Sequence, residues 1–246
     1  MTENMAARVS PDRPEKRMPQ DQSRQVREMF GRIAGRYDLM NFLMTGGRDR
    51  AWRRFLVGAA GVVSGSRVLD AGAGTGAVAA LAALEAVGGL VVASDFTPEM
   101  IALGARREKD LPWVRADALA LPFAANSFDA VVSAYLVRNV TDREKALSEM
   151  ARVVRPGGRV ACLETSPPPP GVLAPFVRFH MKAVIPFLGR VVARDRDAYQ
   201  YLPETTQAFL TPPALAELFT NAGLFRVRFK RFALGTQAVV WGEKAA

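Results

Sequence analysis

Apolar residues recur at two different periods along the chain. Val26, Met29, Phe30 and Ile33 stand at helical spacing and predict a short helix over 23–34. A second helix is predicted from Asp49, with Trp52, Phe55 and Leu56 on one side. From Arg67 the pattern changes to short apolar runs, each followed by a helical stretch. Strands are predicted at 67–71, at 90–94 ending on Asp95, at 113–115, at 128–134 and at 159–164. Helices are predicted at 75–86, from Pro98 through Met100, Ile101 and Leu103, and at 143–154. Pro98 suits a first helical turn, where its missing N–H does no harm. Asp142 is placed to cap the helix 143–154, and Pro156-Gly157-Gly158 to stop it. Strands alternating with helices imply an α/β fold, a doubly wound and mostly parallel sheet with helices on both faces.

After Glu164 the alternation breaks. Pro167 to Pro170 reads as a stiff extended stretch. An apolar segment, 172–192, carries Arg178, Lys182 and Arg190 and is divided by Pro186. Pro212-Pro213 opens a further helix, closed by Gly223, and residues 225–232 and 236–241 alternate as two closing antiparallel strands. Residues 1–22 lack apolar periodicity and read as a disordered tail. The rest, 23–246, reads as a single domain with a helical cap (23–60) and an insert (167–211).

Composition narrows the class. At 246 residues, with 49% hydrophobic and 23% charged residues, the chain is globular. No apolar run reaches the length of a membrane span, and no signal peptide is read at the N-terminus. A single cysteine, Cys162, excludes intrachain disulfides and a cysteine metal cluster, so no metal is expected. It lies in an apolar run and reads as a buried strand thiol. The cytoplasm is the expected compartment. The net charge of +9 is uneven: −1 over 61–170, but +5 on each flank. Basic flanks suit an anionic partner, lipid headgroups or nucleic acid, and equally a solubilising surface.

The chemistry centres on Arg67 to Gly76, R-V-L-D-A-G-A-G-T-G. Gly72, Gly74 and Gly76 form a tight turn between strand and helix, where a side chain would hold a ligand off the backbone. The following helix offers free N–H groups near Thr75. Residues 72–77 also fit the dinucleotide pattern G-x-G-x-x-G/A. Asp70 tilts the reading. An acid there repels a pyrophosphate but can meet the ammonium group of a methionine moiety. The resulting D-x-G-x-G-x-G is the usual first motif of class I S-adenosylmethionine (SAM) methyltransferases. Asp95, 25 positions after Asp70, suits both hydroxyls of a ribose, in a SAM or a NAD enzyme. Asp117 and Ala118 follow the third strand, where a carboxylate and the next N–H would meet an adenine. Leu119, Leu121, Pro122 and Phe123 would wall it. Ser133 ends the fourth strand and would face the methionine portion.

Four further blocks carry a resemblance. They are Arg36-Tyr37-Asp38-Leu39-Met40-Asn41, the stretch from Asp117 to Phe123, Arg138-Asn139-Val140-Thr141-Asp142-Arg143, and Tyr199-Gln200-Tyr201-Leu202-Pro203-Glu204-Thr205. Through them, over about residues 24–242, the chain resembles the UbiE/MenG family, the C-methyltransferases of menaquinone and ubiquinone biosynthesis. The resemblance implies a class I Rossmann-like methyltransferase fold of seven strands and SAM as cofactor. It implies SAM contacts at Thr75, Asp95, Asp117, Ala118 and Ser133. The chain departs from the family pattern at Ala77, at Tyr135-Leu136-Val137, at Thr165 and at Val239 to Trp241.

The expected acceptor is a prenylated naphthoquinol or benzoquinol, whose ring carbon attacks the sulfonium methyl once a neighbouring hydroxyl is deprotonated. Arg138 is expected to hold the developing phenolate, Asn139 to orient the other oxygen, and Tyr37 to contact the ring or relay the proton. An ion pair of Arg138 with Asp142 or Glu144 is the structural alternative. His180, the only histidine, is a candidate base or a packed residue of the insert. The insert and the N-terminal helices are expected to form a quinone entrance on anionic membrane, placing the protein peripherally on the inner face. A homodimer is the candidate assembly. Demethylmenaquinol is the favoured substrate. A ubiquinone-pathway benzoquinol, another lipophilic phenol, and a non-catalytic nucleic-acid-binding role are the alternatives; no nucleic acid is expected under the first reading.

Overall fold

The structure is a computed structural model and describes residues 28–29, 31–32, 34, 37–168 and 209–245. The tail 1–22, the apolar segment 172–192 with His180, and the block 199–205 lie outside the described residues, as do the side chains of Tyr37 and Asp38. Seven strands form one sheet: β1 (Arg67–Ala71), β2 (Leu90–Asp95), β3 (Trp113–Arg115), β4 (Phe128–Ala134), β5 (Val154–Thr165), β6 (Leu224–Phe232) and β7 (Gln237–Lys244). Their order across the sheet is β3-β2-β1-β4-β5-β7-β6. The first five run parallel, and β7 is antiparallel to both β5 and β6. The order reverses between β1 and β4, and a doubly wound sheet opens a crevice at such a switch point.

Six described helices accompany the sheet: α1 (Tyr37–Thr45), α2 (Asp49–Ala59), α3 (Ala77–Glu85), α4 (Pro98–Arg107), α5 (Arg143–Val153) and α6 (Pro212–Asn221). Strand alternation sorts the core onto two faces. Leu69, Val131, Val160, Cys162 and Val240 face α5 and α6, meeting Leu147, Met150, Leu215 and Phe219. Val68, Val132, Ala161, Leu163 and Val239 face the other way, meeting Trp52, Leu56 and Val57 of α2 and Val78 and Ala82 of α3. Phe55 joins α2 to the sheet end, with its ring 5.3 Å from that of Phe232 and 5.7 Å from that of Trp241.

Several elements differ from expectation. Residues 37–45, given no element by their pattern, are helical, and the exposure of Leu39, Phe42 and Leu43 explains why no buried stripe marks them. β5 begins at Val154 rather than Arg159 and includes Pro156-Gly157-Gly158. The preceding helix therefore ends at Val153. The Asp142 cap is present, accepting the Lys145 N–H at 2.9 Å. Cys162 is buried, and burial pushes its thiol well above the usual range. No helix among the described residues is long and apolar enough to cross a membrane.

Candidate functional site

The crevice lies at the carboxyl ends of β1, β2, β3 and β4. Its lining comes from Gly72 and Gly74 after β1, Ser94 to Thr97 after β2, Ala116 to Leu119 after β3, and Ala134 to Leu136 with Asn139 to Thr141 after β4. The sheet thus brings together sequence-distant residues because parallel strands end on one side.

The glycine loop needs its glycines for two reasons. Gly72 has φ +72°, and a Cβ there would stand 2.9 Å from Cδ1 of Leu136. Gly74 has φ +57°, and a Cβ would meet nothing within 4 Å, so it would project into free space beside the crevice. The loop is tied to β2 by the Asp95 carboxylate. One oxygen accepts the Gly74 N–H at 2.8 Å and the other the Thr97 N–H at 2.8 Å. Burial raises the Asp95 pKa, and these N–H donors oppose the rise.

Asp70 is 1% exposed, and neither of its carboxylate oxygens has a hydrogen-bond partner in the structure. Burial pushes its pKa from 3.8 to about 7. The Ala79 N–H and Arg53 counter that rise, and Asp95 adds to it. A buried carboxylate without a donor is costly, and a ligand ammonium group is the complement it lacks. Orphaned acid, open glycine backbone and the acid ending β2 together fit the methionyl and ribosyl ends of SAM. Asp117 and Ala118 both line the crevice, and Asp117 closes a local turn by accepting the Leu119 N–H at 2.9 Å.

Other expected residues sit behind this wall. Ser133 is buried, and its hydroxyl donates to the Ala71 carbonyl at 2.7 Å; Ala134 and Tyr135 supply the lining beyond it. Thr75 is buried at the turn into α3. Asn139 lines the crevice and donates to the Tyr135 carbonyl at 2.7 Å. Tyr135 itself has φ +61°, a strained conformation for a non-glycine residue and one that recurs at functional sites.

Arg138 is buried next to the crevice wall. Its guanidinium lies 5.5 Å from the Tyr135 ring centroid, and its Nη1 donates to the Thr165 hydroxyl at 3.3 Å. Its carboxylate partner is Glu164, not Asp142 or Glu144: Nε stands 4.0 Å from Glu164 Oε2. Asp142 is held as a helix cap instead. Glu164 is 1% exposed and accepts the Val137 N–H at 2.6 Å. Burial pushes its pKa to about 7, with Arg138 and the backbone N–H groups of Val137 and Arg138 countering. Sequence alone singled out neither Glu164 nor Arg53, although an acid closing a central apolar strand was a readable signal for the former. Tyr37 starts α1.

The ubiE/COQ5 methyltransferase family profile matches residues 18–244. A ubiquinone/menaquinone biosynthesis C-methyltransferase of Desulfotalea psychrophila is 45% identical over 221 residues, covering 89% of this chain and 90% of its own. A demethylmenaquinone methyltransferase of Thermus thermophilus is 42% identical over 220 residues, covering 88% of this chain and all of its own. Solved structures share the fold at low identity. A putative methyltransferase complex with the Trm112 activator from Haloferax volcanii gives a TM-score of 0.63 at 20% identity, covering 88% of this chain and 98% of that one. A SAM-dependent methyltransferase of Thermotoga maritima gives 0.62 at 17%, covering 89% and 99%. With the profile spanning nearly the whole described chain and curated relatives matched along most of their length, the chain belongs to the ubiE/COQ5 methyltransferase family.

Proposed function

We propose that this protein is a SAM-dependent C-methyltransferase that converts demethylmenaquinol to menaquinol. The observation that carries the reading is the crevice itself. Its β1–β3 wall offers glycine backbone and three strand-end acids, and its β4 wall turns an aromatic ring and an amide toward the same space. SAM supplies an electrophilic methyl group on a sulfonium sulfur.

The residues then have distinct tasks. Asp70 receives the ammonium group, Asp95 the ribose hydroxyls, and Asp117 with the Ala118 N–H the adenine. Gly72 and Gly74 admit the ligand to the backbone, and Thr75 and Ser133 hold the turn and strand end in register. On the acceptor side, Asn139 orients one quinol oxygen. Arg138 supplies the positive charge that favours the phenolate, and Glu164 fixes the guanidinium. Tyr37 contacts the ring. Aligning carbon, methyl and sulfur, and excluding water, supply the remaining rate enhancement.

A prenylated acceptor requires contact with a lipid surface, which belongs to the same proposal. Support comes from β6, the sheet edge, where Arg226, Arg228, Lys230 and Arg231 are interleaved with exposed Phe225 and Phe229. Exposed Leu39 and Phe42 on α1 add apolar area. Such a mixture suits an anionic headgroup boundary on the inner face of the membrane.

The test is transfer of labelled methyl from SAM, under reducing conditions, to demethylmenaquinol in anionic liposomes, with a benzoquinol alongside. Label in the naphthoquinol is expected. Label only in the benzoquinol, or in neither, contradicts the assignment of substrate.

A further inference from the structure

Arg53 is a buried cation for which the site described so far has no use. It lies on α2, on the face that carries Trp52 and Leu56 into the core. α2 ends at Ala59, just before the turn into β1, so its foot is at the amino end of the sheet. Its first two turns therefore reach the carboxyl end, beside the glycine loop.

Arg53 is 8% exposed, and a buried guanidinium needs its donors satisfied. Nη2 is 3.4 Å from Asp49 Oδ2, one turn back on the same helix. Asp49 is in turn held by the Thr45 hydroxyl, which lies 3.2 Å from Oδ1. Thr45 and Asp49 thus fix the head of the side chain. Its Nε has no hydrogen-bond partner. Asp70 stands close enough to feel the charge of Arg53, yet its own two oxygens have no partner either. Two buried opposite charges that do not meet, each with an unsatisfied polar atom, form the complement of a zwitterion. The ligand on the proposed reading carries one: an α-ammonium and an α-carboxylate on adjacent carbons.

We propose that Arg53 binds the α-carboxylate of the methionyl end of SAM, opposite Asp70 on its ammonium group. The inference rests on SAM as the ligand and adds a residue that neither the glycine motif nor the strand-end acids include. The cap helix then does more than cover the crevice. It completes the cofactor site and lets the protein distinguish SAM from nucleosides that lack the amino-acid end.

Calorimetric titration of the full chain with S-adenosylhomocysteine and with 5′-methylthioadenosine, which lacks the amino-acid end, tests this. Arg53→Ala and Arg53→Gln should weaken S-adenosylhomocysteine about 10- to 100-fold, the range of a charge-assisted hydrogen bond. Methylthioadenosine should bind both variants as it binds the wild type, and Arg53→Lys should recover part of the loss. Equal weakening of both ligands would overturn the proposal, because it would mark Arg53 as a packing residue only. So would unchanged S-adenosylhomocysteine affinity. Should the alanine variant not fold, the glutamine variant, close in size, carries the same comparison. Failure of the wild type to bind either ligand would remove the cofactor reading, and this assignment with it.

Discussion

Arg138 and Glu164 are both buried, and Arg138 Nε lies 4.0 Å from Glu164 Oε2. The pair joins the turn after β4 to the end of β5, and Glu164 also holds the Val137 N–H. Removing one partner of a buried pair strands the other, at about 3–5 kcal/mol. Glu164→Ala is therefore expected to lower stability by about 3 kcal/mol in denaturant unfolding. Glu164→Gln, whose amide oxygen can still accept the Val137 N–H, should lose less than half of that. An alanine variant as stable as the wild type would separate Glu164 from Arg138.

Asp70 gives the cofactor site a pH dependence. Its pKa in the free protein is about 7, raised by burial above 3.8. A ligand ammonium group favours the ionised form. Affinity for S-adenosylhomocysteine should accordingly rise with pH up to about 7 and level off above it, with proton release on binding at pH 6. For folding the sign is opposite. A raised folded-state pKa means that the stabilising contribution is full below 3.8 and is lost as pH rises through about 7. Asp70→Asn should flatten the affinity profile across this window. A wild-type affinity constant from pH 5.5 to 8 would contradict the assigned role.

The two loop glycines should fail differently. Gly72→Ala combines a positive φ with a Cβ contact of 2.9 Å on Leu136, so both stability and cofactor binding should fall. The backbone term alone is about 1–2 kcal/mol. Gly74→Ala has strain without a clash inside the protein. Its larger effect should be on SAM affinity, measured against a smaller drop in melting temperature than for Gly72→Ala. Equal binding losses with equal melting shifts would mean that Gly74 serves the fold alone.

Ser133 can be separated from the ligand in the same way. Its buried hydroxyl donates to the Ala71 carbonyl, linking β4 to the glycine loop. Ser133→Ala should cost about 1 kcal/mol of stability, the usual net value of such a bond. Its effect on SAM affinity should be smaller than that of Asp95→Ala. A tenfold affinity loss without a stability change would place the hydroxyl on the ligand instead.

Much of this was legible in the chain because parallel strands buried on both faces leave continuous apolar runs. The runs ending at Asp70, Asp95 and Ser133 mark the carboxyl edge, and ligand residues follow each one. The Asp142 cap and the Pro98 start were equally local signals, and both are present. What escaped was long-range or had no period. α1 exposes Leu39, Phe42 and Leu43 and so lacks a buried stripe. Glu164 meets Arg138 only because β4 and β5 are neighbours with Ser133 opposite Cys162. No spacing rule favours that pairing over the nearer Asp142 and Glu144. Arg53 looks like one more cation in the run Arg53-Arg54 until the burial of α2 distinguishes it.

The central claim is that this crevice methylates a carbon of a naphthoquinol ring. It is tested most directly by single-turnover reaction with methyl-labelled SAM and reduced demethylmenaquinol, with the labelled position read by NMR. The account predicts a ring C-methyl product with the wild type. It predicts at least a 100-fold slower turnover with Arg138→Ala, while S-adenosylhomocysteine affinity stays within a few-fold. An O-methyl product, or undiminished turnover by the Arg138 variant, would contradict it.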